Sequence, residues 1–296
     1  MAGETKKQRR TWIAVAACAL VLWIAAGCTI DTATPDEGDG GVSDGLLHVT
    51  FIDVGQGDSA LLEMPDGSII LVDGGYEGMG TSRVVPLLEE KGIAAIDILV
   101  LTHPHSDHCG GLDEVLDHVQ VAEIWEDGEA GDSPAYTGFE SARDASGAEV
   151  VYPVAGDTRT FGGVVLEVLA TSTGYTEVNN DSIVASLTFG DERFLLPGDA
   201  EAEQQLDLLD AYGAQLGADV LKVPHHGSFN FTPAFPETVA PEYAVISCGA
   251  GNDYGHPHQE ALDAYNAIGA TICRTDLMGD VTFTTDGTNL ETNCEE

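Results

Sequence analysis

The segment Leu99-Val100-Leu101-Thr102-His103-Pro104-His105-Ser106-Asp107-His108-Cys109-Gly110-Gly111 constrains this chain more than any other. Ile96 to Leu101 is an apolar run without a helical period, which reads as a strand covered on both faces. Four side chains able to bind a metal follow within six residues, from His103 to His108. On an extended loop His103 and His105 point the same way, while Asp107 and His108 are carried round to a second point. Gly110 and Gly111 let the backbone pass close to such a site and open a helix, Leu112 to His118. Two imidazoles on one centre, with an imidazole and a carboxylate on another, is the donor supply of a dinuclear hydrolytic site. A chance surface loop would lack this strand–loop–helix context.

Three further turns carry candidate residues. Phe194-Leu195-Leu196 runs into Pro197-Gly198-Asp199, and a carboxylate at that strand end can reach two metals; taken alone it would be an ordinary turn aspartate. Asp219 to Val223 repeats the design, a buried strand leading to Pro224-His225-His226-Gly227-Ser228. Adjacent histidines on extended backbone point to opposite sides, so His226 is expected as the ligand and His225 as its support or a substrate contact. Lys222 has two readings, a partner for a phosphate or carbonyl, or a cap on its strand. Asn252-Asp253-Tyr254-Gly255-His256-Pro257 precedes a helix, and His256 reads as a late ligand or a contact for the leaving group. His48 and His118 lack such contexts and read as structural.

Along the rest of the chain, short strands alternate with Gly and Asp turns. Strands are expected at Leu47–Val54, Ser59–Met64, Ser68–Val72, Ile96–Leu101, Val121–Trp125, Val150–Tyr152, Val164–Leu169, Ser182–Phe189 and Arg193–Pro197. Others follow at Asp219–Val223, Tyr243–Ser247, Thr271–Arg274, Asp280–Thr285 and Asn289–Thr292. Helical spacing marks Thr81–Lys91, Ser133–Ser146, Glu201–Tyr212 and His256–Ile268. Two strand-rich halves interleaved with helices imply two sheets packed face to face with helices outside.

Residues 1–28 read as a targeting segment: a basic head (Lys6, Lys7, Arg9, Arg10), an apolar stretch from Trp12 to Ala26, then Ala25-Ala26-Gly27-Cys28. The stretch is short for a membrane span, which needs about 20 residues. A lipoprotein-type signal cleaved before Cys28, with lipid on that cysteine, accounts for both features; an uncleaved N-terminal anchor is the competing reading. Either places the body outside the cytoplasm, held at a membrane. Residues 29–45 are small, acidic and Gly-rich, a flexible tether, and 46–296 suits one domain with a substantial core.

The formal charge is −39. The first 27 residues hold four cations and one acid, so the remainder stands at −42. Such a surface repels polyanions at low salt and suits a high-salt setting. Of six cysteines, Cys18 leaves with the signal and Cys28 takes the lipid. Outside the cell a Cys273–Cys294 disulfide is permitted, though spacing alone does not select it. No CxxC pair occurs, which argues against a structural thiolate zinc site.

The motifs together resemble the metallo-β-lactamase superfamily, and within it the extracytoplasmic hydrolase domain of ComEC-type DNA-uptake competence proteins. The resemblance rests on DVGQGDS (53–59), VDGG (72–75), LTHPHSDHCGG (101–111), NNDSIV (179–184), FLLPGDAE (194–201), VLKVPHHGS (220–228), AVISCG (244–249), NDYGHP (252–257) and RTDLMGDVTFTTDG (274–287). It implies a four-layer αββα sandwich, of α+β or α/β class, with the site at the sheet edges. It assigns His103 and His105 to a first metal, Asp107, His108 and His226 to a second, and Asp199 as the bridge. Asp73 would hold the histidine loop. Many superfamily enzymes carry a further histidine before the bridging aspartate; this chain has none from Val119 to Pro224, and Asn179-Asn180-Asp181 lies near where it would fall. An oxygen donor there would suit manganese as readily as zinc. The chain in hand also lacks the multi-span channel of the full competence protein, so a DNA channel is not expected of it.

The expected activity is therefore metal-assisted hydrolysis with two divalent ions, Zn or Mn. Asp107 would orient or deprotonate water, and His225, His256 or Lys222 would stabilise developing charge. A phosphodiester is the substrate class that the resemblance implies, with DNA included. The rivals are hydrolysis of a small ester, lactone or β-lactam, which the acidic surface favours, and a non-catalytic binding protein, which would not need the ligand set complete. No protein partner follows from the sequence.

Overall fold

A computed structural model describes residues 44–172 and 174–294. The signal peptide expected at 1–28 and nearly all of the tether at 29–45 lie outside the described residues.

Among the described residues, fifteen strands form two sheets. The first comprises β1 (Leu47–Phe51), β2 (Ala60–Glu63), β3 (Ile69–Val72), β4 (Ala95–Val100), β5 (Gln120–Trp125), β6 (Glu149–Val151), β14 (Val281–Thr285) and β15 (Leu290–Thr292), in the order β15-β14-β1-β2-β3-β4-β5-β6. The second comprises β7 (Thr158–Phe161), β8 (Val164–Ala170), β9 (Val184–Phe189), β10 (Glu192–Leu196), β11 (Val220–Lys222), β12 (Tyr243–Ile246) and β13 (Thr271–Arg274), in the order β13-β12-β11-β10-β9-β8-β7. In each sheet one half is parallel: β3 to β6 in the first and β10 to β13 in the second.

Side-chain alternation explains the layers. On β4, Ile98 and Val100 enter a core shared with Val164, Leu166, Phe194 and Val245 of the second sheet. Leu99 and Leu101 face the opposite way, into a cluster with Val84, Leu112 and Phe139 from the helices on that side. On β12, Val245 joins the central core, whereas Ala244 and Ile246 pack outward with Leu208, Phe235 and Tyr265. Both faces of each sheet are thus covered, so these strands read as continuous apolar runs. The result is the expected αββα sandwich. Its outer layers hold α1 (Val85–Glu90), α3 (Leu112–Leu116) and α4 (Pro134–Ser146) on one side, and α5 (Ala202–Tyr212), α6 (Ala234–Val239) and α7 (Gln259–Ala267) on the other.

Three short helices escaped the sequence reading: α2 (Ser106–Cys109), α6 and α8 (Thr275–Met278). Four to six residues are too few to show a 3.6-residue period. Strand β7 was also missed, because its Thr-Arg-Thr-Phe pattern is almost wholly exposed at a sheet edge and offers no alternation. The helix expected over Thr81–Lys91 begins as an irregular wide turn at Gly80–Val84 and becomes regular only at Val85. A disulfide joins Cys273 of β13 to Cys294 just after β15, tying together the facing edges of the two sheets. Cys109 and Cys248 are free and buried.

Candidate metal centre

The parallel halves of both sheets end at the same edge. Asp73 follows β3, His103 to His108 follow β4 and include α2, Asp199 follows β10, and His225 and His226 follow β11. Strand ends of this kind leave a crevice at their carboxyl edge, where loop side chains converge. Here they do. Asp199 Oδ2 lies 3.3 Å from His108 Nε2, 3.5 Å from His226 Nε2, 3.8 Å from His225 Nε2 and 4.0 Å from His103 Nε2. Asp107 Oδ2 is 3.3 Å from His226 Nε2, and His103 Nε2 is 3.1 Å from His105 Nδ1. Four overlapping donor clusters result: His103–His108–Asp199 and Asp107–His108–His226, and two that draw on Asp58, with Asp199 and His226 or with Asp73 and His108. His105 is more exposed and joins the first only through His103.

Each buried ring is aimed by a partner on its far side. His108 donates from Nδ1 to Asp73 Oδ2 at 2.8 Å, and Asp73 also accepts from the Thr102 backbone and hydroxyl, both at 2.8 Å. This is the supporting role expected of Asp73. His226 Nδ1 meets the Ser247 carbonyl at 3.0 Å and Asp58 Oδ1 at 3.1 Å. Asp58 in turn holds Lys222 Nζ at 2.7 Å through Oδ2. Carboxylates and carbonyls behind a ligating imidazole set its tautomer and orientation. The loop geometry depends on close backbone approach: a Cβ on Gly111 would stand 2.3 Å from the Gly74 carbonyl, and one on Gly57 2.3 Å from that of Asp107.

The residues fit a divalent ion. Nε2 of His108, Nε2 of His226 and Oδ1 of Asp199 are buried without a hydrogen-bond partner, and buried polar atoms are seldom left so. Burial opposes charge on Asp199, but His226, His108 and His225 outweigh it and hold the carboxyl well below its usual range. Burial likewise opposes protonation of His226, yet Asp199 and Asp58 push it up to about 10. His108 rises well above its ordinary value through Asp199 and Asp73 despite its burial. Burial, with His108 alongside, drives His103 well below its own. A bound cation would compete with protons for these nitrogens. A mixed set of imidazole nitrogens and carboxylate oxygens suits first-row divalent metals.

The structure corrects two expectations. Lys222 does not face the crevice: it is 4% exposed, paired with Asp58, and donates to the Val223 carbonyl at 2.9 Å. It supports His226 from behind rather than meeting substrate. The adjacent histidines do not diverge, either. His225 and His226 have φ of 47° and 54°, and this left-handed backbone turns both rings towards Asp199, in place of the extended alternation assumed. Non-glycine residues held in that region cluster at functional sites. His225 Nδ1 is anchored 2.9 Å from Glu201 Oε1.

His256 packs edge-on against His225, ring centroids 5.4 Å apart, and Gln56 Nε2 contacts its Nδ1 at 3.3 Å. The segment at 179–181 is divided in role. Asn180 Oδ1 accepts from the Glu201 and Gln204 backbones at the start of α5, and Asp181 Oδ1 accepts from those of Gly174 and Tyr175. Asn179 alone faces the crevice, with its Oδ1 buried and without a hydrogen-bond partner. Asp58, Glu201, Ser182 and the rim residues Tyr76 and Tyr254 were not singled out from sequence. Asp58 lies within the DVGQGDS motif, but nothing local links it to a histidine so far along the chain.

A cavity of about 690 Å³ opens over the cluster, lined by Tyr76, His105, Asp107, Asn179, His225 and Tyr254 among others.

Residues 52–233 match the Metallo-beta-lactamase superfamily. The chain is 30% identical over 255 residues to ComE operon protein 3 of Bacillus subtilis (strain 168), covering 80% of this chain and 33% of that protein. It is 32% identical over 237 residues to competence protein ComA of Neisseria gonorrhoeae, covering 79% and 32%. The chain thus spans about a third of the length of the curated relatives it matches. Among solved structures it is similar to Igni18, a metallo hydrolase from the hyperthermophilic archaeon Ignicoccus hospitalis. That likeness has a TM-score of 0.53 at 14% identity, covers 80% of this chain and 98% of that one, and concerns the fold.

Proposed function

The chain belongs to the metallo-β-lactamase superfamily of hydrolases, and we propose that it hydrolyses phosphodiesters at a two-metal centre outside the cytoplasm. One observation carries this reading: buried, unpartnered donor atoms of His108, His226 and Asp199 converge at the floor of an open crevice. His103, His105 and Asp199 would hold one divalent ion, zinc or manganese, and Asp107, His108, His226 and Asp199 the other. Ions held there supply Lewis-acid activation of water and neutralise phosphoryl charge.

The remaining chemistry belongs to side chains. The Asp107 carboxyl stands in the crevice wall, and although burial opposes its charge, His226 3.3 Å away and the charge on His108 hold it well below its usual range. It is thereby an anionic acceptor that orients the attacking water and takes its proton. His225 donates its Nδ1–H to Glu201 and turns Nε2 to the same side as Asp199, from where its imidazolium form would donate to the phosphoryl or leaving-group oxygen. Similarity to the competence proteins supports a phosphodiester over a lactone or β-lactam. The basic, apolar and small-residue pattern of residues 1–28 supports export and a lipid anchor at Cys28.

The test is metal content of the purified chain beside turnover of bis-p-nitrophenyl phosphate with added Mn or Zn. About two metals per chain, and turnover lost in Asp107→Ala, is the expected result. A metal-free protein that stays inactive after metal addition would overturn the proposal and leave a binding protein that retains the fold.

A further inference from the structure

We infer that the preferred substrate is a short phosphodiester bearing a nucleobase-like ring, held by stacking on Tyr254 at the rim rather than by cationic contacts along a strand. The inference rests on the phosphodiesterase reading and sharpens it to a substrate class.

The first observation is where the positive charge lies. The described residues contain seven lysines and arginines, and none lines the cavity over the metal cluster. Five are paired with carboxylates: Arg83 with Asp280 at 2.9 Å, Lys91 with Glu63 at 2.6 Å, Arg143 with Glu126 at 2.8 Å, Lys222 with Asp58 at 2.7 Å and Arg274 with Asp276 at 2.7 Å. Arg193 bonds the Gln215 carbonyl, and Arg159 lies over the Trp125 ring. The cavity wall carries Asp107, Asp132 and Asp199 instead. Affinity for a long nucleic-acid strand comes mainly from lysines and arginines that neutralise successive phosphates. This crevice has no such row. Metals at its floor can neutralise the one phosphate being cleaved and no others.

The second observation is what stands at the rim. Tyr254 is 57% exposed, lies 19° from parallel to His256 with centroids 5.7 Å apart, and its hydroxyl meets that of Tyr76 at 3.0 Å. His256 packs in turn on His225 beside the metal cluster. The loop is set in place before any ligand arrives. Asn252 Oδ1 accepts from the Tyr254 and His256 backbones at 3.1 and 3.0 Å, and its Nδ2 donates to the Gly249 and His256 carbonyls at 2.9 and 2.6 Å. An exposed, pre-positioned aromatic face beside a phosphate-cleaving centre is how proteins hold a base without sequence preference. The cavity, about 690 Å³, is of the size that takes a ligand as large as a mononucleotide.

The test compares two esters on the metal-loaded chain, the p-nitrophenyl ester of thymidine 5′-phosphate and methyl p-nitrophenyl phosphate. They share a leaving group and differ in the base-bearing arm. The wild type is expected to favour the thymidine ester by roughly ten- to a hundredfold in kcat/KM, mainly through KM, the range that stacking of one base provides. Tyr254→Ala should bring that ratio near one, while Tyr254→Phe, which keeps the ring, should retain it. Calorimetric binding of thymidine 5′-monophosphate against methyl phosphate should follow the same order. A 40-nucleotide strand should be cleaved no more efficiently than a dinucleotide at low salt.

Turnover of the methyl ester without a base preference would overturn this inference alone, as would equal loss of the ratio in Tyr254→Ala and Tyr254→Phe. Inactivity on both esters would overturn the phosphodiesterase reading and this inference with it.

Discussion

Lys222 Nζ lies 2.7 Å from Asp58 Oδ2, and the other oxygen of Asp58 lies 3.1 Å from Nδ1 of the candidate ligand His226. The three groups form a buried row from the interior to the crevice floor. Burial alone would raise the Asp58 carboxyl, but Lys222 and then His226 overcome it and hold it below its ordinary value. The lysine therefore keeps Asp58 anionic, and the anion keeps the His226 Nε2 turned outward.

This row makes a divided prediction for its members. Asp58→Asn keeps the shape but weakens the grip on His226, so metal affinity should fall about 10–100-fold, read by competition with a metal indicator. Lys222→Met removes the cation paired with the buried Asp58 and leaves it only His226, and thermal or urea unfolding should show a loss of about 3–5 kcal/mol. A phosphate-binding lysine would instead raise KM at unchanged stability.

Metal uptake should release protons. Burial works against protonating His108 and His226, but Asp199 and the other carboxylates around them raise the first well above its ordinary value and the second to about 10. Both rings are therefore protonated near pH 7 in the metal-free site, whereas ligating nitrogens must be free. Titrating metal into chelator-treated protein at pH 7 should release about one to two protons per chain. Calorimetry in buffers of different ionisation enthalpy would measure this.

Asp107 and Asp199 should separate chemistry from binding. Asp107→Ala is expected to lower turnover by about 10²–10⁴-fold, the range for a lost proton acceptor, with metal content reduced in part. Asp199 meets every histidine of the cluster except His105, so Asp199→Ala should abolish metal retention itself, read by elemental analysis.

The Cys273–Cys294 bridge closes a sequence separation of 21 residues across the edges of both sheets. Replacing both cysteines by serine should cost about 3 kcal/mol of stability, through the freed unfolded chain. Added reductant should lower the wild-type melting temperature and leave that of the double variant unchanged.

Asp127 supplies a pH signature. Its Oδ2 is buried without a hydrogen-bond partner, and burial pushes the carboxyl up to about 8 although the Glu129 backbone N–H opposes this. The folded state therefore holds a proton that the unfolded state has released above pH 4. Stability from this group is complete below that point and falls as pH rises to about 8. Asp127→Asn should flatten the decline and stabilise the protein by on the order of 2 kcal/mol at pH 9, seen by denaturant unfolding at fixed ionic strength.

The sequence by itself determined the candidate donors and the architecture that carries them. The Thr102–Gly111 loop, Asp199 and His226 each follow an apolar strand at once, so local periodicity and turn chemistry revealed both the strands and the candidate ligands. The apolar runs of β4, β10 and β11 declared strands buried within covered sheets. What only the tertiary structure decided is how distant groups complete the centre. Asp58 lies on an early turn and Lys222 on a late strand, and Tyr76 meets Tyr254 across a separation of 178 residues. No local pattern encodes such pairs, because their energy arises only when two sheets bring the turns together. The left-handed backbone at His225 and His226, which overrides side-chain alternation, is likewise held by contacts around it rather than by its own residue preferences.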